Sequence, residues 1–212
     1  MDQQSPSTLE TLQDIKRMME RSSRFISLSG LSGVSAGIVA LAGAWFAHEL
    51  ILPYYTRYNT RGSFLLQDFR ELKIRLMMLA GLVLSVALIF SFYFTWRKAR
   101  KNQLPMWDPA SRKLFINLLI PLGAGGLFVL GMLYHNEWRF IAPACLVFYG
   151  LALVNASKYT LGEIRYVGIL EILLGIINLY FEDYGLYFWA VGFGLLHIVY
   201  GLIMWVKYDK GN

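Results

Sequence analysis

The sequence predicts an all-α integral membrane bundle of six transmembrane helices. Both termini lie in the cytoplasm, and a short amphipathic helix precedes the first span. Three observations predict this class. Apolar residues make up 56% of the chain and gather into runs of about 20, the length a helix needs to cross the hydrocarbon. Charged residues make up only 16%, where a soluble domain carries about 25%. Lysine and arginine concentrate on alternate connections between the runs, as the positive-inside rule requires. One bundle accounts for the whole length, so the chain divides into a cytoplasmic segment, 1–24, and a membrane domain, 25–212.

The amino-terminal segment comes first. Ser7 and Glu10 have capping-box spacing, and Leu9, Leu12, Ile15 and Met19 recur at helical spacing after them. Lys16, Arg17, Arg21 and Arg24 cluster toward the first apolar run. A helix lying on anionic headgroups fits this pattern, and so does a docking helix for a cytoplasmic protein partner. The segment is polar and the following run is too long for the core of a signal peptide, so that run is an uncleaved span.

The six spans are Phe25 to Leu52, Ile74 to Trp96, Leu114 to Tyr134, Phe140 to Ser157, Leu161 to Phe181 and Tyr184 to Val206. Helices are the reading because backbone groups in lipid must be satisfied within each segment. Pro53 to Lys73 is the first outer loop. Trp107 to Lys113 is a turn leading into span 3, and Asn136-Glu137 and Glu182-Asp183 are tight turns that make hairpins of spans 3–4 and 5–6. With the termini inside, fourteen of the 20 Lys and Arg face the cytoplasm; Arg57, Arg61, Arg70, Lys73, Arg75 and Arg139 face outward. Trp96 and Trp205 fall at inner ends, Trp138 and Trp189 near outer ends, as an aromatic belt would place them.

Small residues show how the spans meet. Span 1 carries Gly33 and Gly37 in a G-x-x-x-G pair, which lets helix backbones approach closely. Span 3 has Gly123, Gly125 and Gly126 just after Pro121, a place for close packing or a kink. Such stripes serve packing within the chain and between copies equally, so a homo-oligomer is an open expectation. Phe148 to Leu151 echoes Val199 to Leu202, a weak internal repeat.

One constellation has chemical potential. Span 5 contains Gly168, Glu171 and Gly175; span 6 contains Gly194, His197 and Gly201. Positions three and four apart share a helix face, so each ionisable residue lies on a glycine stripe that faces protein. Glu171 is ten residues from Phe181 and His197 thirteen from Tyr184, about 15 Å and 20 Å along their helices. The two therefore lie at similar depth, with Tyr149 of span 4 near them. An intramembrane Glu is a functional-site hypothesis by default, with His197 as its named partner. The cluster is a candidate ligand or proton site; a structural hydrogen bond aligning the hairpin is the competing reading.

Other polar groups point to less. His48, His135 and His197 lie at depths that do not pair them across a haem. Cys145 is alone and sits in an apolar run, a packing residue. Asn155, Lys158, Glu163 and Arg165 gather at the turn between spans 4 and 5, for headgroup anchoring or a cytoplasmic mouth. No phosphate loop, nucleophile elbow or metal-ligand spacing is present, so no catalytic residue, metal site or cofactor is assigned. The formal charge of +6 flanks apolar runs and does not indicate nucleic acid.

Ser29 to Ala44 (SGLSGVSAGIVALAGA) and Gly192 to Met204 (GFGLLHIVYGLIM) resemble a family of small polytopic bacterial inner-membrane proteins with no assigned activity. The resemblance implies a bacterial inner membrane and carries no site residue. Two function classes follow. The first is a non-enzymatic sensor, assembly factor or regulatory partner. The second is a small transporter or channel, proton-coupled through Glu171 and His197. An intramembrane enzyme stands behind both, since two candidate groups are too few to name a reaction. Replacing Leu12 and Ile15 together by Asp is expected to weaken membrane assembly or partner recovery; pull-downs and membrane fractionation that match wild type in both respects would remove both readings of the amino-terminal segment.

Overall fold

A computed structural model describes Phe25 and residues 28–61 and 66–210. The amphipathic segment read over 1–24, with Ser7, Glu10 and its apolar stripe, lies outside the described residues. Every described element is helical: α1 (Gly30–Arg61), α2 (Leu66–Lys101), α3 (Pro109–Tyr134), α4 (Trp138–Tyr159), α5 (Ile164–Asn178) and α6 (Glu182–Asp209). Short 3-10 turns open and close α4, and α6 is a composite of 3-10, α and π segments. Five of these are long and apolar enough to cross a membrane; α5, at 15 residues, is not.

The expected boundaries shift where local hydrogen bonding overrides the hydropathy pattern. Span 1 starts at Gly30 rather than Phe25, because Asp209 caps that end. Its carboxylate accepts from the Gly30 N–H at 2.9 Å and the Ser29 hydroxyl at 3.1 Å. A carboxylate there also suits the positive end of the helix dipole. The same span does not stop at Leu52. Its helix continues through Pro53 to Arg61, and α2 begins at Leu66, so most of the expected first outer loop is helical. An interior proline removes one N–H without obliging the helix to end. The Glu182-Asp183 turn is also displaced. Those residues form the first turn of α6, and the chain reverses just before them. Asn136 does take the turn geometry, at φ 64°, which asparagine tolerates after a helix end.

Span 5 has its own explanation. Its α-helical hydrogen bonds cover Ile164–Asn178 only. Tighter turns extend it at both ends: Ile164, Arg165 and Tyr166 donate to Leu161, Gly162 and Glu163, and Leu179, Tyr180 and Phe181 donate to Ile176, Ile177 and Asn178. Such turns rise about 2.0 Å per residue, more than an α-helix, and so recover length. Helix α3 starts from a capping box. The Asp108 carboxylate accepts from the Ser111 N–H at 2.6 Å and the Ser111 hydroxyl accepts from the Asp108 N–H at 2.8 Å, with Pro109 in the first turn.

Helix α1 lies between α2 and α6; α4 lies against α3, α5 and α6. Glycine sets the two tightest contacts. At the α1–α6 crossing a Cβ on Gly33 would stand 3.1 Å from Gly201 Cα. One on Gly37 would stand 2.6 Å from the Gly194 carbonyl, and one on Gly201 would stand 2.5 Å from the Val34 backbone N. On the other face of the bundle Gly150 of α4 and Gly168 of α5 press on each other's carbonyls, and Gly175 meets Pro143 and Val147. Leu41 covers Gly194. The span-3 glycines behave differently. Gly125 packs on Phe148, but Gly123 and Gly126 meet no neighbour among the described residues. α3 runs through Pro121 as one helix.

Side chains tie the ends of the bundle. At one end Lys98 Nζ bonds the Leu28 carbonyl at 2.7 Å and lies 2.7 Å from Asp209 Oδ1, a charge contact rather than an aligned hydrogen bond. Thr160 holds the Phe25 carbonyl at 2.7 Å, and Phe25 N–H bonds the Tyr159 carbonyl. At the other end Arg139 of α4 meets Glu182 of α6 at 3.0 Å, and Lys73 of α2 bonds Asn136 beside the Phe69 and Trp138 rings. Gly201→Ala is expected to destabilise the fold by about 1–3 kcal/mol, the usual cost of overpacking. Thermal unfolding in detergent measures it, and a midpoint equal to wild type would show that the α1–α6 crossing is not tight.

Candidate functional site

The structure brings Glu171, His197 and Tyr149 together. Glu171 is midway along α5 on its buried face, with Gly168 one turn before it and Gly175 one turn after, and it is 0% exposed. The carboxyl has room because α6 presents Gly192 there. A Cβ at Gly192 would collide with a Glu171 oxygen and stand 2.5 Å from Leu146, itself fully buried. His197 is buried on α6 at the junction between the π segment Ala190–Leu196 and the α segment His197–Met204. Tyr149 is on α4, next to Gly150.

The histidine's hydrogen bonds fix its tautomer. Nδ1 lies 3.0 Å from the Gly192 carbonyl, which can only accept, so Nδ1 carries a proton. In the neutral ring Nε2 is then an acceptor, and the Tyr149 hydroxyl at 2.7 Å donates to it. The ring is also held by aromatic neighbours. Phe193 stacks on it at 6.0 Å, Tyr149 lies at 5.3 Å, and Trp189 backs Phe193 at 5.1 Å.

Glu171 is less well served. Its Oε1 is 3.6 Å from His197 Nδ1, beyond a hydrogen bond, and the Nδ1 proton points to Gly192. Neither carboxyl oxygen has a hydrogen-bond partner among the described residues. The expected Glu171–His197 pair is thus a close neighbour contact, not a closed hydrogen bond. An unsatisfied buried polar group costs about 1–3 kcal/mol, more if charged. Whether protonated or ionised, this carboxyl has acceptor capacity that the described residues leave unused.

The sequence reading missed Asn178. It is 0% exposed, its amide donates to the Phe181 carbonyl at 3.0 Å, and its Oδ1 has no partner among the described residues. A signal was present: Gly168, Glu171, Gly175 and Asn178 continue one stripe at alternating spacings of three and four.

The remaining candidates disperse. His48 is half-buried on α1 beside Glu49. Asn155 turns to α3, bonding the Asn117 carbonyl at 2.8 Å, while Glu163 turns to α6, bonded by Lys207 and by Tyr208 at 2.7 Å. Partial burial pushes the Glu163 carboxyl up, but those two hydrogen bonds outweigh it and hold it below the usual carboxylate range. A cavity of about 240 Å³ between α1 and α2 is lined by Glu49, Arg57, Glu71 and Arg75, but Arg75 and Glu71 pair in the open at its rim. No group of three or more metal-ligating side chains occurs among the described residues.

Tyr149→Phe removes the donor to Nε2 and is expected to lower stability by about 1–3 kcal/mol. Nitrogen-15 NMR of the His197 ring should report a changed Nε2 signal and an unchanged Nδ1; an unmoved Nε2 would dissolve the Tyr149 contact. No family model, curated protein or solved structure matches this chain.

Proposed function

We propose that the chain is a six-span protein of a bacterial inner membrane, with both termini cytoplasmic. It acts as a non-enzymatic sensor or regulatory partner, and Glu171, His197 and Tyr149 form its ligand or proton site. The observation that carries the reading is the Glu171 carboxyl: fully buried, midway along its helix, and without a hydrogen-bond partner among the described residues. Protein interiors seldom leave such a group unpaired without a role.

Several features support the rest. The turn before α5 joins the end of the bundle that holds Phe25, Lys98 and Asp209. The turn after it joins the end that holds Arg139 and Glu182. Helix α5 therefore runs between the same two ends as its neighbours, which favours six crossings. The excess of Lys and Arg at the first end favours placing that end in the cytoplasm.

The regulatory reading draws on what surrounds the site. Gly192, Leu146 and Phe193 pack directly on the cluster, which suits a proton rather than a bulky substrate. The His197 carbonyl faces Gly33 of α1, 3.2 Å from where a Cβ would stand. A change at the ring thus bears directly on the helix that follows the amino-terminal segment, where a cytoplasmic partner would dock.

Transport is the second reading, favoured by one observation. α6 is interrupted by π segments at Ala190–Leu196 and Trp205–Asp209, and His197 follows the first; irregular helices recur at functional and transport sites. Glu171→Gln separates the two. A regulatory protein should keep its partner in affinity purification but lose its response to pH or ligand, whereas a transporter should lose flux in proteoliposomes while remaining folded. A variant that melts, binds and responds like wild type would make Glu171 a packing residue and end both.

A further inference from the structure

Helices α1 and α2 form an antiparallel hairpin that outruns the rest of the bundle. Gly43 of α1 meets Val83 of α2, and further along the Tyr54 and Phe69 rings lie 6.0 Å apart. Phe69 in turn stands 6.1 Å from the Trp138 ring, and Lys73 bonds Asn136 in the turn between α3 and α4. Tyr54 and Lys73 are therefore level with the end of the bundle that holds Arg139 and Glu182. There the other helices turn back, while α1 continues past Tyr54 to Arg61, about 10 Å further. The cavity of about 240 Å³ opens at this level, in the groove between α1 and α2. In a bilayer, the level of the helix-end tryptophans is the boundary between hydrocarbon and headgroups.

The lining selects the ligand. Glu49 and Arg57 come from α1, Glu71 and Arg75 from α2. Two carboxylates and two guanidinium groups have no net charge, so a lone anion or a lone cation meets as much repulsion as attraction. A zwitterion matches both signs. Arg75 already contacts Glu71, but that i,i+4 pair is exposed and such pairs are weak. A guanidinium also has five N–H donors, so Arg75 can hold an anion and keep its neighbour. Toward the middle of the bundle the same helix faces continue, at spacings of three and four. From Leu50 the stripe leads to Phe46, and from Arg75 to Met78 and Leu82; these three are exposed by 52%, 63% and 61%. Apolar side chains open to the surroundings below a charged cavity suit an acyl chain below its headgroup. The cavity is also smaller than the about 300 Å³ or more of sites that enclose a whole small molecule.

We propose that the groove between α1 and α2 binds a phospholipid whose headgroup carries a phosphate and a primary ammonium, as in phosphatidylethanolamine. The phosphate lies between Arg57 and Arg75, whose planar forks match its oxygens. The ammonium donates to the Glu49 carboxylate, and the acyl chains follow Phe46, Met78 and Leu82. A choline headgroup has no N–H to donate, and a glycerol headgroup has no positive charge to set against Glu49 and Glu71, so both fit less well. The site is separate from the Glu171 cluster and rests only on reading the bundle as a membrane domain. Under the orientation proposed above, the lipid belongs to the outer leaflet. Because its headgroup touches both helices, it fastens the α1–α2 hairpin beyond the point where the other helices support it.

Native mass spectrometry of the full chain, released from nanodiscs of equal parts phosphatidylethanolamine, phosphatidylcholine and phosphatidylglycerol, tests the site. The wild type is expected to retain phosphatidylethanolamine about tenfold over the other two, the effect of one charge-assisted hydrogen bond. Glu49→Gln should remove the preference for ethanolamine over choline, and Arg57→Gln should weaken retention of every phospholipid. Leu72→Trp, which fills the cavity with all charges in place, should abolish the retained lipid. Glu137→Gln removes a carboxylate beside Arg139 at the same end but outside the cavity, and should bind like the wild type. Should Leu72→Trp fail to fold, Glu49→Gln carries the test, since its side chain is 55% exposed. Equal retention of the three lipids by the wild type overturns the site. So does a preference that survives Glu49→Gln, or one that falls as far in Glu137→Gln. Glycerophosphoethanolamine, the headgroup without chains, should not displace the lipid at matched concentration; displacement would overturn the lipid and make the groove a site for soluble zwitterions.

Discussion

The close crossing of α1 on α6 sets the geometry on which the rest of the bundle depends. Apolar burial does not drive helices together in lipid as it does in water, so association relies on van der Waals contact and on hydrogen bonds. Backbone must come near backbone for the first of these to be large. Gly33 and Gly37 on one helix and Gly194 and Gly201 on the other permit that approach; a Cβ on Gly33, Gly37 or Gly201 would meet main-chain atoms, and one on Gly194 the Leu41 side chain. Once α6 is fixed against α1, its opposite side carries Gly192 and His197 to α4 and α5. Gly150 and Gly168 bring those two helices equally close. The enclosed polar cluster results from these two tight crossings. α2 and α3 contribute little to it: the most apolar stretch of α2 is 0% buried and that of α3 is 6% buried. Their apolar faces suit lipid.

Within that enclosure the polar groups are unequally satisfied. His197 has both ring nitrogens engaged, one by a main-chain carbonyl and one by a phenol. Its orientation is set by the fold before any ligand arrives. Glu171, in contact with the same ring, is held by packing alone. Asymmetry of this kind, a fixed ring beside an unfixed carboxyl, makes an element able to respond, because only one partner must change its bonding. The carboxyl lies directly against Gly192, and the ring's own backbone lies against Gly33, so the response would be felt at the α1–α6 crossing.

Periodicity made much of this legible in the sequence. The helical class, the glycine faces of spans 1, 5 and 6, and the convergence of Glu171, His197 and Tyr149 all follow from counting residues along helices of known rise. Counting failed where a second residue, remote in sequence, decides the outcome. The start of α1 depends on Asp209. The passage of α1 through Pro53 overrode a residue that usually marks an end. The π segments of α6 have no residue signature. Gly123 and Gly126 carry the same residue type as Gly33, but no described helix lies opposite them, and a sequence does not state which neighbour a face will meet. Asn178 was readable in principle, since it extends the Glu171 stripe by one step; its importance comes from an oxygen without a partner among the described residues.

The cap on α1 has a consequence for biosynthesis. Asp209, which closes the first turn of the first helix, is 179 positions later in the chain than Gly30, and Thr160, which anchors Phe25, is 135 positions later than its partner. A ribosome delivers Thr160 only after four helices have been made, and Asp209 only after five. The first turn of α1 therefore gains its cap only once the end of α6 has been made. A polypeptide stalled before Asp209 would carry every described helix but the end of α6 and still lack the fastening of its first.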